Sequence, residues 1–473
     1  MPKLLVSRGI VLFAGATVIT SAAILVQILR NPVGPDSFLP DLTSSALTAT
    51  AVLLIAFTLP LLIRRLRIGT SRWLPWLVGA VSTSLSLAVW FLVATGHDSK
   101  AAALYAGLRI PKPPFVVEFW DLSLVLKSID CASYGFDVYA AKNGCMQDAS
   151  IYGPGTLWLQ YVPFRVFSEG SAPALGVVAL IISSLALVWL ARFSTGRGQL
   201  VLLIAAVGSP WLLLLERGNF DAFVIWAAVV TIILARRWNT LWSWLVAAAI
   251  LWLMGTWKYY PFAMGLMLIP ALRVKRGWTV LVAFAVASSG FVLLTWENFR
   301  FSASANAGMV DVRDFVVLGR IPLVARMLDA VPPGSSLQGG DLLVFALVGL
   351  AVVWGVLVGL SVARPRVDEA MLAIAGSSLF LISIVMSGFG YAYKAVFLLL
   401  AVPMLSRLGA RRSRAALYSS LVMLILVGIC SIVVWNTTLA TLAGVIAAAF
   451  AFGASATLLV RGVRSSTWAN RLP

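Results

Sequence analysis

Lys258 stands in the stretch GTWKYYPF, residues 255–262, inside a long apolar run and with no acid beside it. A lysine at mid-bilayer costs about 3 kcal/mol on insertion scales, so a charge in such a place needs a reason. Three further groups share its character. ERGNFD (Glu216–Asp221) brings Arg217, Asn219 and Asp221 together. WENFR (Trp296–Arg300) ends on Arg300, and GFGYAYK (Gly388–Lys394) holds Tyr391, Tyr393 and Lys394. Four cations with apolar walls, Lys258, Arg217, Arg300 and Lys394, suit an anion such as a phosphate whose other end is a lipid. The chain has 28 Arg and 8 Lys, so lysine at two of these four positions is a departure from its habit. A compact, mobile ammonium suits a phosphate whose charge grows as it leaves.

The elements that must position these residues are membrane spans. The 473 residues are 60% hydrophobic and only 11% charged, a balance foreign to soluble proteins, and apolar runs recur from end to end. Spans are expected at Ile10–Leu29, Leu47–Ile63, Trp73–Thr95, Ala172–Ala191, Leu200–Leu215, Phe220–Ala235 and Leu241–Gly255. Further spans are expected at Pro261–Leu272, Trp278–Trp296, Leu342–Val362, Ala370–Met386, Ala395–Leu405, Ala415–Val434 and Leu439–Val460. Pro261–Leu272 and Ala395–Leu405 are short and cross only if neighbours such as Tyr259 and Tyr393 extend them. The reading is all-α: one polytopic bundle of about 14 spans forming a single membrane domain over residues 1–473. The run after Lys3 and Arg8 is long and lacks a clear cleavage site, so it is taken as a helix and not a signal peptide.

With the N-terminus placed in the cytoplasm, 22 of the 36 basic residues fall on the inner side against only two acids, Asp368 and Glu369. This positive-inside pattern accounts for the net charge of +18 without nucleic acid. Both termini are then cytoplasmic, and the location expected is a bacterial plasma membrane. The polar groups above all fall on the outer face. Two outer loops are large, 96–171 and 297–341. The first contains FVVEFWDLSLVLKSIDCASYGFDVY, whose mixed apolar and acidic residues predict interfacial helices lying on the membrane. It also brings Asp121, Asp130, Asp137 and Tyr139 to that face, together with Cys131 and Cys145, which are either disulfide-bonded or two free thiols. With one histidine, His97, and no CxxC or HExxH, no metal or other cofactor is expected.

Each group also has a plain structural reading. Lys258 could snorkel outward among Trp257, Tyr259 and Tyr260 as an interfacial anchor. Asp221 could pair with Arg217 or cap the following helix, Asn219 could be a turn residue, and Asp121 could be a cap or a partner of Lys127. Recurrence of such groups at four span ends on one side favours a site.

In order along the chain, the groups resemble the GT-C type membrane glycosyltransferases, and are most similar to family 87, whose members include polyprenyl-phosphate-mannose-dependent mannosyltransferases. The resemblance runs from about Phe119 to Met404. FWDLSLVL and YGFDVY look like the family's first outer loop, an acid on a helix followed by a Gly-x-Asp-Pro-Tyr-like turn, and YGPGTLWLQYVPF is similar to its Tyr-x-Pro-Pro continuation. ERGNFD, KYYP and YAYK look like the hairpin, the Lys-x-x-Pro and the late Tyr-x-Tyr-Arg that follow. Val138 stands where the family favours Pro, and Asp221 where Asn is usual. The catalytic loop follows the third span instead of the first, which leaves Asp36 and Asp41 of the short first loop as rival catalytic acids.

The resemblance implies inverting transfer of a mannose-like or other hexose from a polyprenyl-phosphate donor to a lipid- or glycan-linked acceptor. Asp121 would be the general base taking the acceptor proton. Lys258, Arg217, Arg300 and Lys394 would face the donor phosphate. Asn219, Asp221, Tyr259, Tyr391 and Tyr393 would contact sugar or headgroup. Alternatives from the same residues are a polymerase or ligase of lipid-linked oligosaccharides, and a transporter or flippase of a lipid-linked or anionic substrate.

Overall fold

The structure is a computed structural model, and it describes residues 74–94, 119–140, 143–146, 150, 152–163, 166–301, 339–362, 366–387, 392–408, 414–432 and 437–464. The expected spans Ile10–Leu29 and Leu47–Ile63, the acids Asp36 and Asp41, His97, Tyr391 and most of the loop 297–341 lie outside these residues.

Among the described residues the secondary structure is entirely helical. In chain order the α-helices are α1 (Leu74–Ala94), α2 (Trp120–Ser133), α3 (Ala172–Phe193), α4 (Gly196–Ala206), α5 (Ser209–Glu216), α6 (Asp221–Arg237), α7 (Leu241–Lys258) and α8 (Trp278–Leu294). They continue with α9 (Gly339–Ser361), α10 (Val367–Ser387), α11 (Val402–Leu408), α12 (Arg414–Ile432) and α13 (Thr437–Arg464). Among the described residues three helices are long and apolar enough to cross a membrane, Glu169–Phe193, Leu241–Lys258 and Ala443–Arg464, or four if the bent pair α4 and α5 counts as one span. Shorter apolar helices accompany them, and the chain is a membrane protein by this measure.

The run Leu200–Leu215, expected as one span, is instead two helices bent by 53°. The break has a local cause. Gly208, Ser209 and Pro210 open α5, and a proline near a helix start has no N–H to continue the preceding ladder.

The two short runs differ from expectation in another way. Tyr260–Arg273 and Ala392–Ala401 are wound as 3₁₀ helices. At about 2.0 Å rise per residue such winding stretches the first to about 28 Å, close to the thickness of a hydrocarbon core. Ala392–Ala401 runs directly into α11 and reaches about 30 Å with it. Tighter winding thus lengthens segments that would be too short as α-helices.

Polar side chains link the helices inside the bundle. Trp211 donates its indole N–H to Ser82 at 2.7 Å, and Ser82 pairs with Ser184 at 3.0 Å, joining α5, α1 and α3. The expected membrane-surface helix, α2, does not lie with its apolar face towards lipid. That face (Leu122, Val125, Leu126 and Ile129) is buried against Tyr152, Ala172 and Phe220 of the chain itself.

At the end of the bundle where α6 finishes, arginines clasp helix ends. Arg407 donates to the carbonyl of Phe193 at 3.0 Å and pairs with Glu369 at 2.7 Å. Arg461 reaches the carbonyls of Gly359, Leu360 and Val362 at 2.8, 2.8 and 2.7 Å. Arg236 pairs with Asp368 at 2.5 Å and lies over the Phe193 ring. These are the carbonyls that a helix C-terminus leaves without partners.

Candidate functional site

The other end of α6 carries Asp221 in its first turn, where the helix dipole favours an anion. The turn before it, Arg217 to Phe220, is made possible by Gly218, whose φ of 58° is one that glycine adopts without strain. Arg217 uses its carbonyl to accept from the backbone N–H groups of Asp121 and Leu122, at 3.0 and 3.2 Å. Two of the orphan donors of α2 are satisfied in this way, and Asp121 is fixed over the hairpin. At its far end α2 is tied to the following loop by a disulfide between Cys131 and Cys145, whose Cα atoms are 5.9 Å apart.

From this frame a chain of side chains runs inward. Asp121 accepts from the Asn219 amide and from Arg217 at 3.3 Å. The Asn219 oxygen accepts from Lys258 at 2.7 Å and from the backbone N–H of Asp221 at 3.0 Å. Asn219 therefore has one orientation, amide nitrogen towards the carboxylate and oxygen towards the ammonium. Asp221, with no exposed surface, accepts from Lys258 at 2.8 Å, from Lys394 at 2.7 Å and from the Tyr260 hydroxyl. Lys394 also donates to the Tyr260 oxygen at 2.9 Å. The ring of Tyr152 lies 5.0 Å from the Lys258 ammonium, within cation–π range.

Two backbone features aim Lys258. Tyr259 has φ 61° and ψ −55°, a strained γ-turn-like conformation for a residue with a side chain. Lys258 and Tyr260 are two residues apart and would point apart on a regular helix; the sharp turn between them lets both reach Asp221. Tyr259 itself is held by packing on Phe291 and Phe299 and by its hydroxyl donating to Thr295 at 3.1 Å. Behind Lys258, Gly153 donates to the carbonyl of Trp257 at 2.7 Å. A Cβ on Gly153 or on Gly155 would run into Thr256, so YGPG docks on the end of α7 only because both positions lack side chains.

The structure thus brings together five of the residues singled out by sequence: Asp121, Arg217, Asn219, Asp221 and Lys258, with Lys394 beneath them as a sixth. It gives Asn219 and Asp221 internal bridging partners in place of the open positions a sugar contact would need, since they are 1% and 0% exposed. Tyr259 turns away towards Thr295, so its expected headgroup contact is not supported by its hydrogen bonding. Arg300 lies on the short helix 296–301 that follows α8. Of Tyr393 only the backbone, in the 3₁₀ helix, is described. Asp130 and Asp137 serve the loop, accepting from the backbone N–H groups of Glu169 and Tyr139.

Tyr260 and Tyr152 were missed by the sequence reading. The doubled tyrosine of KYYP and the YGPG turn were visible, but the turn at Tyr259 that orients them was not. Tyr139 is a further neighbour. Its hydroxyl is buried without a hydrogen-bond partner among the described residues, and burial, with Tyr259 and Asp137 adding, holds the phenol above its ordinary range.

Chemically, the cluster is three cations, Arg217, Lys258 and Lys394, against two carboxylates, Asp121 and Asp221. The side chains of Arg217, Asp121 and Lys258 keep 18%, 11% and 11% of their surface, whereas Asp221 and Lys394 are sealed at 0% and 7%. An accessible edge carrying acid and cations rests on a closed ionic base. No family model, curated protein or solved structure matches the chain, so what this edge does has to be read from its own residues.

Proposed function

We propose that the chain is an inverting membrane glycosyltransferase that moves a sugar from a polyprenyl-phosphate donor to a lipid- or glycan-linked acceptor on the extracytoplasmic side. The observation that carries this reading is that Asp121 and Lys258 hydrogen-bond the two ends of one Asn219 side chain. A carboxylate and an ammonium are thereby held within about 7 Å, two hydrogen bonds and an amide apart. A carboxylate offers about four lone-pair directions, so Asp121 can bind an acceptor hydroxyl beside its present donors. The acceptor oxygen attacks the anomeric carbon, the carbon–oxygen bond to phosphate breaks, and Asp121 takes the hydroxyl proton. The phosphate leaves with one more negative charge, which Lys258 and Arg217 are placed to meet.

The resemblance to GT-C family 87 supports the same assignment, as does the positive-inside pattern of the about 14 spans expected from the sequence. Incubation of purified protein with polyprenyl-phosphate-mannose and candidate acceptors should release polyprenyl phosphate only when acceptor is present. Lys258→Ala should raise the donor KM at least about tenfold, the loss expected for a charge-assisted contact. A protein that binds donor yet breaks no bond with any acceptor would end this reading.

One observation favours a second reading. A fully buried acid between two lysines, as Asp221 is, also suits a transporter of an anionic substrate. Passage of an intact lipid-linked substrate across a vesicle membrane, with no bond broken, would select it.

A further inference from the structure

Lys394 and Asp221 raise a question of charge that the catalytic assignment does not answer. Lys394 is one of the four cations that the sequence suggests for phosphate, yet it is sealed beneath the cluster, with Nζ bonded to Asp221 and to the Tyr260 oxygen. Asp221 in turn holds two ammonium groups and one phenol, more donors than a single charge requires. A buried carboxylate needs one full counter-charge, and a second cation on it is in surplus.

We infer that Asp221 and Lys394 are an internal ion pair whose function is to leave the charge of Lys258 uncommitted, making Lys258 the ammonium that binds one phosphate group. Asp221 still orients Lys258 through a hydrogen bond, and Asn219 does the same from the other side. Because Lys394 and Tyr260 keep satisfying Asp221, Lys258 can turn part of its hydrogen bonding to an incoming phosphate without stranding a buried charge. Lysine is suited to this sharing, since its three donors rotate about a flexible stem. Among the five charged groups Asp121, Arg217, Asp221, Lys258 and Lys394, three cations face two carboxylates, which leaves one positive charge over. The inference rests on the proposed donor only for the identity of the anion.

Binding of farnesyl phosphate in detergent micelles tests it, with farnesol as the uncharged control and no sugar transfer required. Lys258→Met should weaken binding at least about tenfold, the lower range for loss of a charge-assisted contact. Lys394→Met alone should weaken it comparably, because Asp221 then claims Lys258 outright. Adding Asp221→Asn to Lys394→Met should restore binding to within about threefold of the parent, since removing both charges leaves Lys258 free again. If Lys394→Met does not fold, the double variant decides alone. A double variant as weak as Lys258→Met would overturn the inference, because Lys394 would then be holding the phosphate itself. Equal affinity for farnesol and farnesyl phosphate would overturn it as well, by removing the anion site. Intact phosphate binding with no glycosyl transfer would count against the proposed function while leaving this inference standing.

Discussion

Helix α6 carries two charge clusters of different kinds, one at each end, about 24 Å apart at 1.5 Å per residue. At its end, Arg236 pairs with Asp368, while Arg407 and Arg461 from other helices bind the backbone carbonyls of Phe193, Gly359, Leu360 and Val362. At its start, Lys258 and Lys394 meet a sealed carboxylate and polar side chains. The difference is one of residue type and of what the charge is spent on. A planar guanidinium can close several carbonyls at once and hold a junction still. A lysine bonded to side chains can exchange partners. Positive charge at the first end is joinery, and at the second it is available chemistry.

That contrast can be broken by experiment. The largest expected effect is on stability at the sealed base. Asp221→Ala strands the sealed Lys394 ammonium and should cost about 3–5 kcal/mol, read as a fall in the unfolding midpoint in detergent. Under the proposed function, Asp121→Asn should leave that midpoint nearly unchanged yet cut sugar transfer about 100-fold or more, the usual contribution of a general base. A fully active Asp121→Asn protein would remove Asp121 as the base. At the opposite end, Glu369→Gln should cost about 1 kcal/mol, because its partners Arg407 and Arg366 are 27% and 56% exposed and partly screened, and transfer by the folded protein should persist. The smallest effect is expected for Arg461→Lys, less than about 1 kcal/mol, because the three carbonyls all accept from one nitrogen, which an ammonium can replace. If Glu369→Gln destroyed transfer at unchanged stability, the division between the two ends would fail.

Much of the helical architecture was legible in the sequence because apolar run length is a one-dimensional property. The run Ala172–Ala191 became α3, Leu241–Gly255 became α7, and Phe220–Ala235 became α6, each within a few residues. Leu200–Leu215 was misread because hydropathy does not register the bend that Gly208 and Pro210 introduce. The short runs were puzzling for a related reason, as a residue count converts to length only once the winding is known. In the site, the anomalous Lys258 and the ERGNFD hairpin were visible as polar residues in apolar company. Their partners were not, since Asp121 and Asn219 are 98 residues apart and Lys394 and Asp221 are 173 apart.

By itself the sequence determined that this chain is helical, that it enters a membrane, and that a few charged residues stand at the ends of apolar runs, because transfer free energy depends on composition along the chain. Tertiary structure alone decided which of those charges oppose one another. It seated Asp221 between two lysines, turned Tyr259 aside and aligned Asp121 with Lys258 through Asn219. Electrostatic interaction depends on distance and burial, and neither is a property of residues taken in order.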